Sequence, residues 1–166
     1  MFAHDPVKAF AAIEATAGCG RPRWAKLSPN VTDIVSIAAA VLEGGASAVT
    51  LVNTVMGLAI NPATGRPRLG NGGGGLSGSA IHPVAVRAVY DVRAAFPDAA
   101  IVGVGGVDSG ESAAELLVAG ANAIQVGTAT FADPRAPHTV LRGLQAWCRD
   151  HNVSNITQLT GKAHRS

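Results

Sequence analysis

The sequence predicts an α/β chain of parallel strands with outer helices, and three observations carry that prediction. Segments with helical apolar spacing alternate with short β-branched runs along the whole chain, which is the pattern of βαβ units. Two such runs, Ile101-Val-Gly-Val-Gly105-Gly106 and Ala123-Ile-Gln-Val-Gly127-Thr128, end in glycine turns 22 residues apart (127 minus 105), with one helix-sized segment between them. A weak internal repeat, Gly45-Ala-Ser-Ala-Val-Thr-Leu-Val against Gly120-Ala-Asn-Ala-Ile-Gln-Val-Gly, reads twice as helix exit, tight turn and buried strand. In a (β/α)8 barrel the common phosphate site is built from the loops after strands seven and eight. Placed there, the two glycine turns make residues 1–166 the C-terminal half of such a barrel, about strands five to eight. A closed barrel takes eight strands and typically ~250 residues, so a four-stranded open α/β sheet is the alternative.

The elements follow in order. Residues 6–17 space apolar groups as a helix does, and Gly18-Cys-Gly20 ends it. Residues 23–28 alternate polar and apolar and stop at Pro29, as a strand. Asn30 or Thr32 is placed to cap a helix running to about Glu43, which Gly44-Gly45 terminates. Residues 47–52 form the next strand. A long loop then runs from Asn53 to about Ile81; loops of this length are usually binding loops or lids. Pro83 opens a helix that reaches about Phe96. Strand 100–104, helix 109–119, strand 123–126 and helix 137–150 complete four strands and about five helices. Asp108, Ser109 and Asp133 stand where helix caps belong.

Composition excludes several classes. The chain is 48% hydrophobic and 14% charged, which a disordered tail is not. Aromatics make up only 4%, so Ala, Val, Ile and Leu fill the core. A net charge of +2 without any basic run argues against nucleic acid. No run of 18 apolar residues and no signal-peptide pattern appear, so neither a membrane span nor export is expected and the cytoplasm is the expected location. Cys19 and Cys148 read as free thiols of a reducing compartment. The five histidines lack ligand spacing, so no metal is expected.

The notable polar groups fall just after strands, where α/β folds place their sites. Lys26 alternates with Ala25 and Leu27 and so occupies the opposite face, as an inward cation awaiting an anion or as a snorkelling surface lysine. Asn53-Thr54 ends the second strand; an amide that both donates and accepts suits a planar ligand, and equally suits loop capping. The run Gly70-Asn-Gly-Gly-Gly-Gly75-Leu-Ser-Gly78 permits close backbone approach, as does any flexible linker, and it matches neither a Walker A loop nor a dinucleotide fingerprint. Gly105-Gly106 and Gly127-Thr128 expose backbone N–H groups suited to an anion. No paired-carboxylate or nucleophile–base arrangement is visible.

Five strings occur in order at matching gaps: Trp24-Ala-Lys26-Leu-Ser-Pro-Asn30-Val-Thr-Asp33-Ile, Leu51-Val-Asn53-Thr54, Gly74-Gly-Leu-Ser-Gly78, Gly103-Val-Gly105-Gly106-Val and Gln125-Val-Gly127-Thr128. Together they resemble dihydroorotate dehydrogenase, most closely the FMN-containing catalytic subunit of the bacterial type 1B, from about residue 5 to the end. The resemblance implies an FMN-binding (β/α)8 barrel that oxidises (S)-dihydroorotate to orotate in UMP synthesis, and an iron–sulfur FAD partner subunit that takes the electrons. Carried over by position, it implies that Lys26 contacts the flavin's pyrimidine side and favours its anionic reduced form. Val52 and Gly78 line the FMN site, and Gly105, Gly106, Gly127 and Thr128 hold the phosphate and its surroundings. Asn53 and Thr54 hydrogen-bond the orotate ring.

The family chain is nearly twice as long. The resemblance therefore implies that the first four strands lie outside these residues, together with the catalytic base, a cysteine in this type. Neither Cys19 nor Cys148 matches the position of that base. Two functional readings follow: part of an FMN-dependent dehydrogenase, inactive by itself, or a non-catalytic half-barrel that binds phosphate or flavin, active only as an oligomer or not at all. Unpaired strand edges make a homo-oligomer the expected state. Another phosphate-binding barrel enzyme shares the glycine turns but leaves Lys-Leu-Ser-Pro-Asn unexplained.

Overall fold

The computed structural model of the chain describes residues 2–165. Helix α1 (Pro6–Glu14) starts where the Asp5 carboxylate accepts from the N–H groups of Val7 and Lys8. Strand β1 (Trp24–Leu27), helix α2 (Ile34–Glu43) and strand β2 (Ala48–Leu51) follow. Four short strands come next: β3 (Val55–Gly57), β4 (Ile60–Asn61), β5 (Arg66–Pro67) and β6 (Gly74–Leu76). The chain continues through α3 (His82–Ala95), β7 (Ile101–Val104), α4 (Gly110–Ala119) and β8 (Ala123–Gln125). It ends with the single turn α5 (Ala129–Ala132) and the long α6 (Ala136–Asp150), followed by two short 3-10 turns.

β1, β2, β7 and β8 form one parallel sheet whose spatial order is the order along the chain. Successive helices pack on one another, α1 on α2, α2 on α3, α3 on α4 and α4 on α6. A doubly wound sheet reverses its strand order at a switch point. This one does not, and its helices follow each other in one layer, as in the wall of a barrel.

The core lies between sheet and helices. Leu27, Val49, Leu51 and Ile101 meet Ile37, Val41, Val89, Val92 and Leu116, all at most 3% exposed. Small residues bring the layers close: a side chain at Gly103 would meet Leu116 Cβ at 3.2 Å. On the opposite face Trp24 and Lys26 of β1 and Ala123 and Gln125 of β8 are exposed, while Thr50 and Val102 on the middle strands are buried. Only the two margins of the inner face are open, not the whole face.

The expected elements stand within a few residues of their places, with three corrections. The segment from Asn53 to Ile81 is not structureless: β3 pairs antiparallel with β6, and β4 with β5. Its glycines hid this, because short strands without β-branched alternation leave no periodic signal. Neither Asn30 nor Thr32 caps α2; the Asp33 carboxylate does, accepting from Val35 and Ser36. Ser109 caps α4 as expected, in a reciprocal box with Ser112. Asp133 does not cap α6, which starts at Ala136. Its carboxylate takes the Arg135 N–H and guanidinium, which hold the carboxyl below its usual range.

The internal repeat is physical. Gly45 and Gly120 both have positive φ (89° and 138°), and each following alanine donates back into the helix, Ala46 to Val41 and Ala121 to Leu116. An arginine fastens each exit. Arg23 Nη1 donates to the Gly44 carbonyl at the first exit (3.4 Å) and ties it to the Ile13 carbonyl of α1 (2.7 Å). The buried Arg93 donates from Nε and Nη2 to the Gly120 carbonyl (2.9 and 2.7 Å), from Nη2 to Asn122 Oδ1 (2.7 Å) and from Nη1 to Pro97 O. Burial pushes the Arg93 guanidinium below its ordinary value, with Asp98 opposing. Replacing Arg93 by leucine strands these buried acceptors, so urea unfolding should show a stability loss of about 2–4 kcal/mol.

Candidate functional site

The C-terminal ends of the four parallel strands converge on one end of the sheet. Beyond β2 the backbone stays fastened to both neighbours: Val52 N–H donates to the Val104 carbonyl (2.7 Å) and Asn53 N–H to the Leu27 carbonyl (2.8 Å). Those two bonds set Asn53 and Thr54 at the strand tips. Asn30, released from capping, locks the loop they open. Its Nδ2 donates to the Thr54 carbonyl (2.9 Å) and its Oδ1 accepts from Met56 N–H (2.8 Å). Sequence reasoning missed this role because its partners lie 24 and 26 residues away.

The β3–β6 pairing then carries the chain back over the strand ends. Gly75 stands against the Thr54 side chain so closely that a Cβ would overlap its Oγ1. This position in the glycine run is therefore fixed by contact, unlike a flexible linker. Gly106 has φ 68°, and a Cβ there would lie 2.8 Å from both the Gly78 carbonyl and His82 Cβ. The turn after β7, the end of the long loop and the start of α3 thus touch through glycine backbone.

All nine site residues expected from the sequence, Lys26, Val52, Asn53, Thr54, Gly78, Gly105, Gly106, Gly127 and Thr128, line one cavity of about 100 Å³, joined by Ser77, Ile81 and Val104. A wider hollow of about 420 Å³ adjoins it, sharing Gly78, Gly106 and Thr128 and bounded further by Asp108 and Asp133. Lys26 is the cation in the smaller cavity; its register partner Thr50 places it on the inner face of the sheet. The N–H groups of Gly106, Gly127 and Thr128 meet no acceptor among the described residues, an arrangement that suits an anion.

Among the described residues no Cys, His, Asp or Glu lines the smaller cavity. Cys19 is an exposed free thiol in the turn after α1, and Cys148 is a free thiol on α6. Among the described residues no group of acidic, histidine or cysteine side chains is placed to hold a metal ion, and no helix is long and apolar enough to cross a membrane. The sequence left one participant unseen. His82 reaches the Gly105 carbonyl through Nδ1 at 2.8 Å; as a lone histidine before Pro83 it carried no motif.

Asn30→Ala removes both ties on the 53–56 segment. Amide exchange at Met56 should quicken by at least about tenfold, with about 1–2 kcal/mol lost in chemical unfolding.

The family model of dihydroorotate dehydrogenase matches residues 5–147. The chain is 43% identical over 167 residues to the Aquifex aeolicus protein named "Putative dihydroorotate dehydrogenase A (fumarate)", covering 99% of this chain and 55% of that one. It is 42% identical over 165 residues to "Dihydroorotate dehydrogenase B (NAD(+)), catalytic subunit" of Pelobacter propionicus, covering 97% of this chain and 53% of that one. The chain therefore spans about half the length of these curated relatives. Among solved structures, that of DHODH in complex with ferulenol from Eimeria tenella superposes with a TM-score of 0.74 at 27% identity, over 88% of this chain and 39% of that one.

Proposed function

The chain belongs to the dihydroorotate dehydrogenase family, and we propose that it supplies strands five to eight of an FMN-binding (β/α)8 barrel that oxidises (S)-dihydroorotate to orotate in pyrimidine (UMP) synthesis. The observation that carries this reading is the convergence of Lys26, Asn53-Thr54 and the three glycine turns on one cavity. On this reading residues 1–166 are a partial domain. The open margins of β1 and β8 are where the rest of the barrel wall pairs.

The residues present fit FMN. The free N–H groups of Gly106, Gly127 and Thr128 suit its phosphate, at a strand-to-helix turn of the kind that binds anions. Val52 and Gly78 give the flavin site walls without charge. FMN, when bound, supplies the two-electron acceptor. With that group bound, the Lys26 ammonium on the cavity wall would balance negative charge on its pyrimidine side. Asn53 donates and accepts toward the planar ring of the substrate, with Thr54 beside it, and so fixes its orientation.

The catalytic base belongs, on this reading, to a part of the barrel outside these residues, since among the described residues no Cys, His, Asp or Glu lines the smaller cavity. Losing general-base catalysis costs roughly 10²–10⁴-fold in rate, so the chain by itself is proposed to be inactive. The names of the relatives include both the fumarate and the NAD(+) types. The "catalytic subunit" wording of the second supports a separate iron–sulfur FAD subunit as electron acceptor. The exposed margins of β1 and β8 favour a second reading, a non-catalytic half-barrel that binds phosphate or flavin only as a homo-oligomer.

Titration of the 166-residue chain with FMN should quench flavin fluorescence, and Lys26→Ala should weaken that binding by about tenfold. Dihydroorotate oxidation should stay about 10²–10⁴-fold below that of a full-length relative. Absence of quenching would sink the cofactor assignment, and full-length rates would sink the missing base. Gel filtration should show self-association in either reading; a monodisperse monomer contradicts the oligomer.

A further inference from the structure

His82, the first residue of α3, sits behind the Gly105–Gly106 turn with both ring nitrogens engaged. Nδ1 lies 2.8 Å from the Gly105 carbonyl and Nε2 lies 3.1 Å from Glu115 Oε2 on α4. The imidazole is 12% exposed, its carboxylate partner 57%. Both partners are acceptors. A neutral imidazole has one N–H and serves only one of them, whereas the imidazolium donates to both.

The bond to Gly105 also aims the peptide. In a trans peptide the carbonyl and the following N–H point in opposite directions. With the Gly105 carbonyl turned to His82, the Gly106 N–H is turned away from it, and it meets no acceptor among the described residues. Charge makes the second half of the argument. The wider hollow is bounded by the carboxylates of Asp108 and Asp133, the latter paired outside the lining with the Arg135 guanidinium, and Lys26 is the one basic side chain that lines the smaller cavity. On α3, Arg87 is paired with Asp91. Asp108 contacts the Ser112 hydroxyl at 3.5 Å. Residues 77–81 and 126–132 carry no titratable side chain. Glu115, from α4, is therefore the charged group facing His82, and His82 is the basic group that the glycine turn itself touches.

We propose that His82 is the positioning residue of a phosphate-monoester site at the Gly105–Gly106 turn: bridged between the Gly105 carbonyl and the Glu115 carboxylate, its imidazolium aims the Gly106 N–H at the anion and supplies a positive charge that the surrounding wall lacks. The proposal rests on the FMN reading in taking a phosphate monoester as the ligand. A neutral ring carries no charge and sets a lone pair against Glu115, so it holds the anion more weakly than the imidazolium does.

The test uses inorganic phosphate as probe on the ¹⁵N-labelled 166-residue chain at about pH 6 and about pH 8, with His82→Gln and Glu115→Gln beside the wild type. Phosphate gains charge across this range, so the readout is the ratio of affinities, wild type to variant, at each pH. Phosphate should move the amide resonances of Gly106, Gly127 and Thr128. The wild type should bind about fivefold more tightly than His82→Gln at the lower pH and about equally at the higher. Glu115→Gln should fall between the two. A ratio independent of pH, or no response at these amides, overturns the proposal. Phosphate binding with the expected ratios but no binding of FMN overturns the cofactor reading alone. FMN binding with equal affinity in all three proteins at both pH values overturns the role of His82 alone.

Discussion

The close approach of three backbone segments at Gly78, Gly106 and His82 is the constraint on which the functional end of the molecule depends. A Cβ at Gly106 would meet the Gly78 carbonyl and His82 Cβ, both at 2.8 Å, and its φ of 68° favours glycine. The contact joins the turn after β7, the return of the long loop and the start of α3. It leaves the Gly106 N–H, at the edge of the hollow, without an acceptor among the described residues. Binding capacity and packing therefore compete for the same few atoms, and glycine settles the competition by occupying no space.

The opposite end of the sheet solves a different problem. Helix exits at Gly45 and Gly120 turn abruptly into buried strands, and their carbonyls need donors. Arg23 and Arg93 supply them, each reaching several backbone oxygens from a planar fork. The division of labour is familiar in β/α barrels, where one end of the strands carries stability and the other carries ligand contacts. Charge follows the same division. The Arg93 guanidinium is spent on carbonyls and an amide, while Lys26 stands exposed on the inner face beside the cavity.

The long segment between β2 and α3 shows how a binding loop gains order without a core. Asn30 donates to one side of it and accepts from the other, and the β3–β6 pairing clamps its two ends together. The exposed apolar residues Met56, Leu58, Ile60, Leu69 and Leu76 lie along it, so its order comes from hydrogen bonds and not from burial. Such a loop is held at its roots and paired again further out, Ile60–Asn61 against Arg66–Pro67.

Alternation and glycine punctuation by themselves determined the four parallel strands, the helices between them and the residues at the strand tips. They did so because the helices between the strands each bury one apolar face and each parallel strand is a short run that soon meets a glycine or a polar residue. The family strings named the nine residues that the structure then brings to one cavity. Tertiary structure alone decided the rest. Asp33 caps α2 because Asn30 is needed elsewhere, at partners more than twenty residues distant. His82 and Arg93 matter through carbonyls that become neighbours only after folding, and a lone histidine or arginine leaves no local signature. The short strands of the glycine loop form because Gly75 must pass against Thr54, a contact between chain segments rather than a property of either one.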